Sequence, residues 1–169
     1  MKRIFFLFLN MILAATSFAQ RNIEYIALEL DDASRQRVVA YAEAHLPWPD
    51  ARVIAHHMTI VHHTDFRALP DTPDLADHDS VLAWSLAHEG ETFALTATEV
   101  GHTDHAFALR ITETEAPSRN RIKHITLATN LSAGGRAVDS NFITEWTLLD
   151  APLILKGKVT VYDKRKGNN

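Results

Sequence analysis

The chain has 169 residues, 46% hydrophobic and 22% charged, which suits one domain with a packed core and excludes an extensively disordered protein. It has no cysteine, so a disulfide framework, a thiol nucleophile and a thiolate metal site are all ruled out. Its 17 basic residues are outnumbered by 21 acidic ones, which disfavours salt-driven binding along a nucleic-acid backbone, a mode that needs a broad basic face.

Lys2 and Arg3 precede the apolar run IFFLFLNMILAA, and Ser17, Phe18 and Ala19 make a small-x-small cleavage pattern before Gln20. These features describe a secretory signal peptide over residues 1–19, with a single membrane anchor as the alternative. The expected location is secreted or periplasmic, with no membrane attachment once the leader is removed. Removal lowers the basic count to 15 and brings the net charge to about −6. One domain is expected over residues 20–163, followed by a disordered tail at 164–169.

Residues 23–31, IEYIALELD, read as a strand with much of both faces buried. Asp31 or Asp32 then caps a helix running to about Leu46, with Val38, Tyr41, Ala42 and His45 or Leu46 facing inward. The prolines of PWPD force a turn over residues 47–50. Strand character resumes at RVIAHHMTIVH, and residues 63–74, with Pro70 and Pro73, form a surface loop.

A second helix is predicted from Thr72 or Asp74 to Glu89, with Gly90 placed to end it in the left-handed conformation. TFALTATEV and HAFALRIT form a hairpin around a turn at residues 101–104. A polar link leads to the strand IKHITLAT. After the loop LSAGGRAVD, a short helix from Asp139 or Ser140 buries Phe142, Ile143, Trp146 and Leu149, and Pro152 stops it. LILKGKVTVY is the closing strand. Hairpins without repeated βαβ spacing define an α+β fold.

Two short segments share a pattern. HMTI at residues 57–60 and HITL at residues 124–127 each read histidine, any residue, threonine, aliphatic, in strand surroundings. Because strand side chains alternate, His57 and Thr59 share one face and His124 and Thr126 share one face, backed by apolar residues on the other. HDSV at residues 78–81 also fits the pattern, but it lies in a helical stretch where His78 reads as packing.

Two such motifs about seventy residues apart resemble the 2H phosphoesterase superfamily, and the hairpin and HITLAT segments look most like the cyclic phosphodiesterase domain of fungal-type tRNA ligases and its bacterial relatives. The resemblance spans roughly residues 23–163. It implies a bilobal fold with two pseudo-symmetric, mostly antiparallel sheets flanking a central cleft and helices outside. It also implies metal-independent hydrolysis of a cyclic phosphodiester, a 2′,3′-cyclic phosphate nucleotide or short RNA end, to a phosphomonoester. The short, glycine-containing stretch after HITLAT departs from members that carry a longer helix there.

The chemistry suits these residue types. Opening a cyclic phosphodiester needs a base for water and an acid for the leaving oxygen, and imidazole does either near neutrality. By resemblance, His124 is the base and His57 the acid. The Thr59 and Thr126 hydroxyls supply donors to the nonbridging phosphate oxygens. No cofactor or metal enters this scheme.

Arg110 and Lys158 are candidates for phosphate binding because they lie in predicted strands; Arg121 and Lys123 read as solvated. Tyr25 and Trp146 are candidates for stacking a base, with core packing as the alternative. A monomer acting on a small phosphodiester or RNA end is expected. The competing readings are a histidine-rich periplasmic metal-binding protein and a non-catalytic nucleotide or RNA-end binder. The first draws on His56, His62, His63 and a turn cluster of His102, Asp104 and His105. On a regular strand His57 and His63 share one face and His56 and His62 the other, which gives no close pair of metal ligands.

Overall fold

Alternating and fully apolar runs build seven strands, β1 (Ile23–Leu30), β2 (Ala51–Val53), β3 (His57–His62), β4 (Thr92–His102), β5 (Ala106–Glu113), β6 (His124–Asn130) and β7 (Thr147–Asp163). Two α-helices, α1 (Asp32–Ala44) and α2 (His78–Ala87), and a 3-10 helix at Ala137–Phe142 complete the elements among the described residues. The structure, a computed structural model, describes residues 22–62 and 77–164. The expected signal peptide, the 63–74 loop, His63 and residues 165–169 of the expected tail lie outside the described residues. Lys164, also assigned to the tail, donates its backbone N–H to the Asn22 carbonyl at 2.7 Å.

The class is α+β, with antiparallel strand pairs in the order β2-β6-β3-β1-β7-β4-β5 and a further β5–β6 pairing that closes a six-stranded barrel. Where two sheets were expected, the strands form one continuous ladder. Leu28, Met58, Ile60, Leu95, Leu109, Ile125, Leu127 and Leu155 are fully buried in one core cluster. Each such side chain contributes roughly 1.5–3 kcal/mol on burial. Closure also removes free edges from the barrel strands.

α1 begins where Asp31 accepts a 2.7 Å hydrogen bond from the Ser34 N–H, and it adds Val38 and Ala42 to the core. It ends at Ala44, two residues before the expected limit, so His45 is exposed. α2 starts after Asp77, whose carboxylate accepts from the Ser80 N–H; the expected starts, Thr72 and Asp74, lie outside the described residues. Beyond its end Gly90 takes a φ of 86°, the left-handed conformation that glycine adopts without a Cβ penalty.

Two other expectations are corrected. The strand predicted across residues 52–62 is broken at Ile54–His56, where Ala55 has a φ of 41°. Both pieces still lie on β6: β2 pairs Val53 with Ala128, β3 pairs Met58 with Ile125, and the Ile54 and Ala55 N–H groups bond the Leu127 and Thr126 carbonyls. The break thus inserts two residues and keeps the facing of the strand.

The helix expected from Asp139 or Ser140 is a 3-10 turn that starts at Ala137, and Phe142 is 69% exposed while Ile143 is buried. Leu149 and Pro152 belong to β7, which bulges here because Ala97 pairs with Leu153 whereas Glu99 pairs with Leu148. Proline is tolerated in a bulge because no ladder hydrogen bond is asked of it.

Candidate active site

β3 and β6 meet through the Met58–Ile125 pair. One step to either side in this antiparallel register, His57 faces Thr126 and Thr59 faces His124, with Cα atoms about 4.5–5.5 Å apart in such pairs. Met58, Ile60, Ile125 and Leu127 project into the core, so the four polar side chains share the opposite face. All four line one cavity of about 530 Å³. The 3-10 helix contributes Ala137, Val138 and Asn141 to its wall, and Asn120 and Tyr25 also line it.

His124 is only 5% exposed, and its Nδ1–H donates to the Ile122 carbonyl at 2.8 Å. That bond assigns the proton to Nδ1 and leaves Nε2 with a free lone pair. Burial pushes the His124 pKa below the ordinary histidine value, and the Ile122 bond opposes this in part.

His57 is mostly buried, and desolvation together with neighbouring His56 and His124, against the pull of Glu29, lowers its pKa to about 4. Its Nδ1 is sealed from solvent with no hydrogen-bond partner among the described residues. Ligand contact therefore falls to Nε2. The free cleft holds two neutral imidazoles at pH 7.

The threonines differ in setting. Thr126 Oγ1 donates to the Ala137 carbonyl at 3.3 Å and lies 3.0 Å from Oγ of Ser140, the buried residue of the 3-10 helix. The bond to Ala137 is long enough for a ligand oxygen to compete. Thr59 is held through its backbone, where its carbonyl accepts from Ser118 Oγ at 2.9 Å while the next carbonyl, of Ile60, accepts from the Arg119 N–H at 2.7 Å. The link after β5 is thereby fastened along β3.

The remaining candidates divide. Tyr25 lines the cavity, 5.7 Å from the His57 ring by centroids and stacked on Tyr162 at 4.2 Å. Arg110 is the β5 partner of His124 in the ladder, but its guanidinium is held at 2.8 Å by Glu99 on β4 and is not part of the cavity wall. Lys158 is exposed on β7 opposite Glu29. Trp146 packs against Gly101, away from the cleft. The first member of this group meets the site; the other three do not.

His62 is a cleft residue that alternation assigned to the opposite face. Ala27 pairs with Thr59 while Ile26 pairs with Val61, so Ile60 is an extra residue and the facing of the strand inverts beyond it. Ile60 and Val61 are consequently both buried, and His62 returns to the side of His57. Successive buried aliphatic residues were the available signal. Asn120, Asn141 and Ser140 carried none, because they come from a loop and a 3-10 turn. Among the described residues no group of three or more His, Asp or Glu is arranged to hold a metal ion, and no helix is long and apolar enough to cross a membrane.

No protein-family model matches the chain, and no curated protein matches it.

Proposed function

We propose that this protein is a cyclic phosphodiesterase of the 2H type, which opens a 2′,3′-cyclic phosphate on a nucleotide or short RNA end by two-histidine acid–base catalysis. The observation that carries the reading is that His57, Thr59, His124 and Thr126 line one cavity, on two strands joined at the Met58–Ile125 pair, whose register sets His57 opposite Thr126 and Thr59 opposite His124. Each histidine is thus flanked by a hydroxyl from its own strand and one from the neighbouring strand.

His124, with Nδ1–H held by Ile122, offers Nε2 to water as the general base. His57 serves as the acid, taking up a proton when an anionic phosphodiester enters and counters the low pKa of the empty cleft. Water adds to phosphorus as the bond to the leaving ribose oxygen breaks. The proton lost by water goes to His124, and the one gained by the leaving oxygen comes from His57. Thr59 and Thr126 donate to the nonbridging oxygens as charge grows there. Both proton transfers fall to imidazoles, so the scheme needs no metal.

The two-lobed arrangement belongs to this same proposal, with β3 and its neighbours as one half and β6 with the hairpin as the other, fused here along the ladder. The leader-like residues 1–19 place the activity outside the inner membrane in this reading, where it salvages or processes cyclic phosphate ends. The test is incubation of the mature protein with 2′,3′-cyclic nucleotides in the presence of chelator. Release of one phosphomonoester isomer is expected. No turnover across a broad panel, with binding retained, would instead assign the cleft to a non-catalytic binder.

A further inference from the structure

We propose that Glu29 is a positioning residue for His57, the fixed negative charge that lets this ring carry the proton it must deliver. The proposal rests on the two-histidine reading of the cleft and adds to it a residue outside both motifs.

Glu29 on β1 is the direct ladder partner of His57 on β3. Partners in an antiparallel pair project their side chains to the same face, so the carboxylate is set beside the imidazole by backbone register. The carboxylate is anchored in turn. Thr160 on β7 donates its hydroxyl to Glu29 Oε2 at 3.2 Å, and the Tyr162 hydroxyl also bears on it; burial first, and this contact second, push the Tyr162 pKa up. Tyr162 stacks on Tyr25, and Tyr25 reaches the His57 ring, so the groups form one connected set.

The other groups around His57 do not do this work. His56, in the break just before β3, meets the ring edge-on at a centroid distance of 4.2 Å, and His124 lies on β6; either one opposes a second positive charge. Tyr25 stays neutral, its pKa raised by burial. Lys158, opposite Glu29 on its other side, is cationic and exposed. Glu24 lines the cavity but is five residues from Glu29 along β1, beyond the His62 end of the ladder. Among the described residues His57 Nδ1 has no hydrogen-bond partner, so an added proton there is compensated by charge rather than by a bond.

In the cycle, His57 hands its Nε2 proton to the leaving oxygen and becomes neutral, while His124 gains the proton of the attacking water. Exchange with solvent then moves one proton from His124 back to His57. Glu29 takes no part in either proton transfer and acts only through the stability of the protonated His57.

Glu29→Gln removes the charge at nearly constant shape, and Glu29→Asp restores it. The primary readout is the pH titration of the His57 ring by NMR in the folded, substrate-free protein, with kcat/KM for a 2′,3′-cyclic nucleotide measured against pH beside it. Glu29→Gln is expected to lower the His57 midpoint and to reduce kcat/KM about tenfold for each pKa unit lost. Glu29→Asp should recover much of both. Thr160→Val loosens the carboxylate without entering the cleft, and should lower the midpoint by a smaller step even if Glu29→Gln does not fold. An unchanged His57 midpoint in folded Glu29→Gln overturns the proposal. A shifted midpoint in a protein whose wild type turns over no cyclic phosphate supports the hold of Glu29 on His57 while removing the hydrolase reading.

Discussion

Thr59 and His124 face one another across the β3–β6 ladder, one residue from the Met58–Ile125 pair, although sixty-five positions separate them along the chain. With His57 and Thr126 on the other side of that pair, the backbone register sets two imidazoles and two hydroxyls on one face of the two strands. The apolar residues between them are core, so this face is backed by the packed barrel interior. Its consequences can be measured.

Replacing either imidazole should abolish acid–base catalysis. His57→Gln and His124→Gln are expected to lower kcat by about 10²–10⁴-fold, the usual range for loss of a positioned acid or base. Thermal melting in parallel checks that the fold persists. Turnover within tenfold of wild type in either variant would remove that residue from the mechanism.

Thr59→Val and Thr126→Val keep side-chain shape and delete one donor each. A loss of about 10²–10³-fold in kcat per hydroxyl is expected if both face the transition-state charge. Thr126→Val also strands Ser140 Oγ, its 3.0 Å neighbour, so this variant should melt at a lower temperature than Thr59→Val. Equal melting temperatures would count against the Ser140 contact.

The depressed histidine pKa values make stability pH-dependent with a definite sign. A group whose folded pKa lies below its unfolded value binds more protons when unfolded, so acid favours unfolding. For His57 the contribution is complete above about pH 6.5 and is lost as pH falls toward about 4, a span worth about 3 kcal/mol. His124 acts in the same direction. Denaturant titrations from pH 8 to pH 4 should show wild type losing more stability than His57→Gln; parallel curves would refute the shift. For the same reason the optimum of kcat/KM should lie on the acid side of 6.5.

Gly135 is a packing requirement. A Cβ at this position would run into the His105 carbonyl oxygen and the Asn130 backbone, where no flexible side chain can yield. Gly135→Ala should destabilise the protein by roughly 1–3 kcal/mol through overpacking. Gly134→Ala tests a different cause, since its φ of 69° is strained for alanine but the space around it is open. Urea midpoints unchanged from wild type in Gly135→Ala would show that the backbones can separate there.

Much of the chain was legible without coordinates because local physics decides it. Alternation marked β1, β-prone runs around a turn marked the hairpin, β-branched residues marked β6, and Asp31 (one of two expected caps, with Asp32) and Gly90 marked helix ends through capping and left-handed backbone. Errors fell where a strand was irregular or where proline was read as a stop. Pro152 sits inside β7 because the strand bulges around it, and Phe142 is exposed because a 3-10 turn replaces the expected amphipathic helix.

The sequence by itself determined that His57 shares a face with Thr59 and His124 with Thr126, since residues two positions apart on a strand project to the same side. It could not decide what stands beside them. The inversion at Ile60 that brings His62 to the cleft, the ladder partnership of Glu29 with His57, and the Glu99 bond that draws Arg110 aside all depend on which strands pair and in what register. Register is set by the packing of the whole barrel interior, a property of every core side chain at once, and so it became visible only in three dimensions.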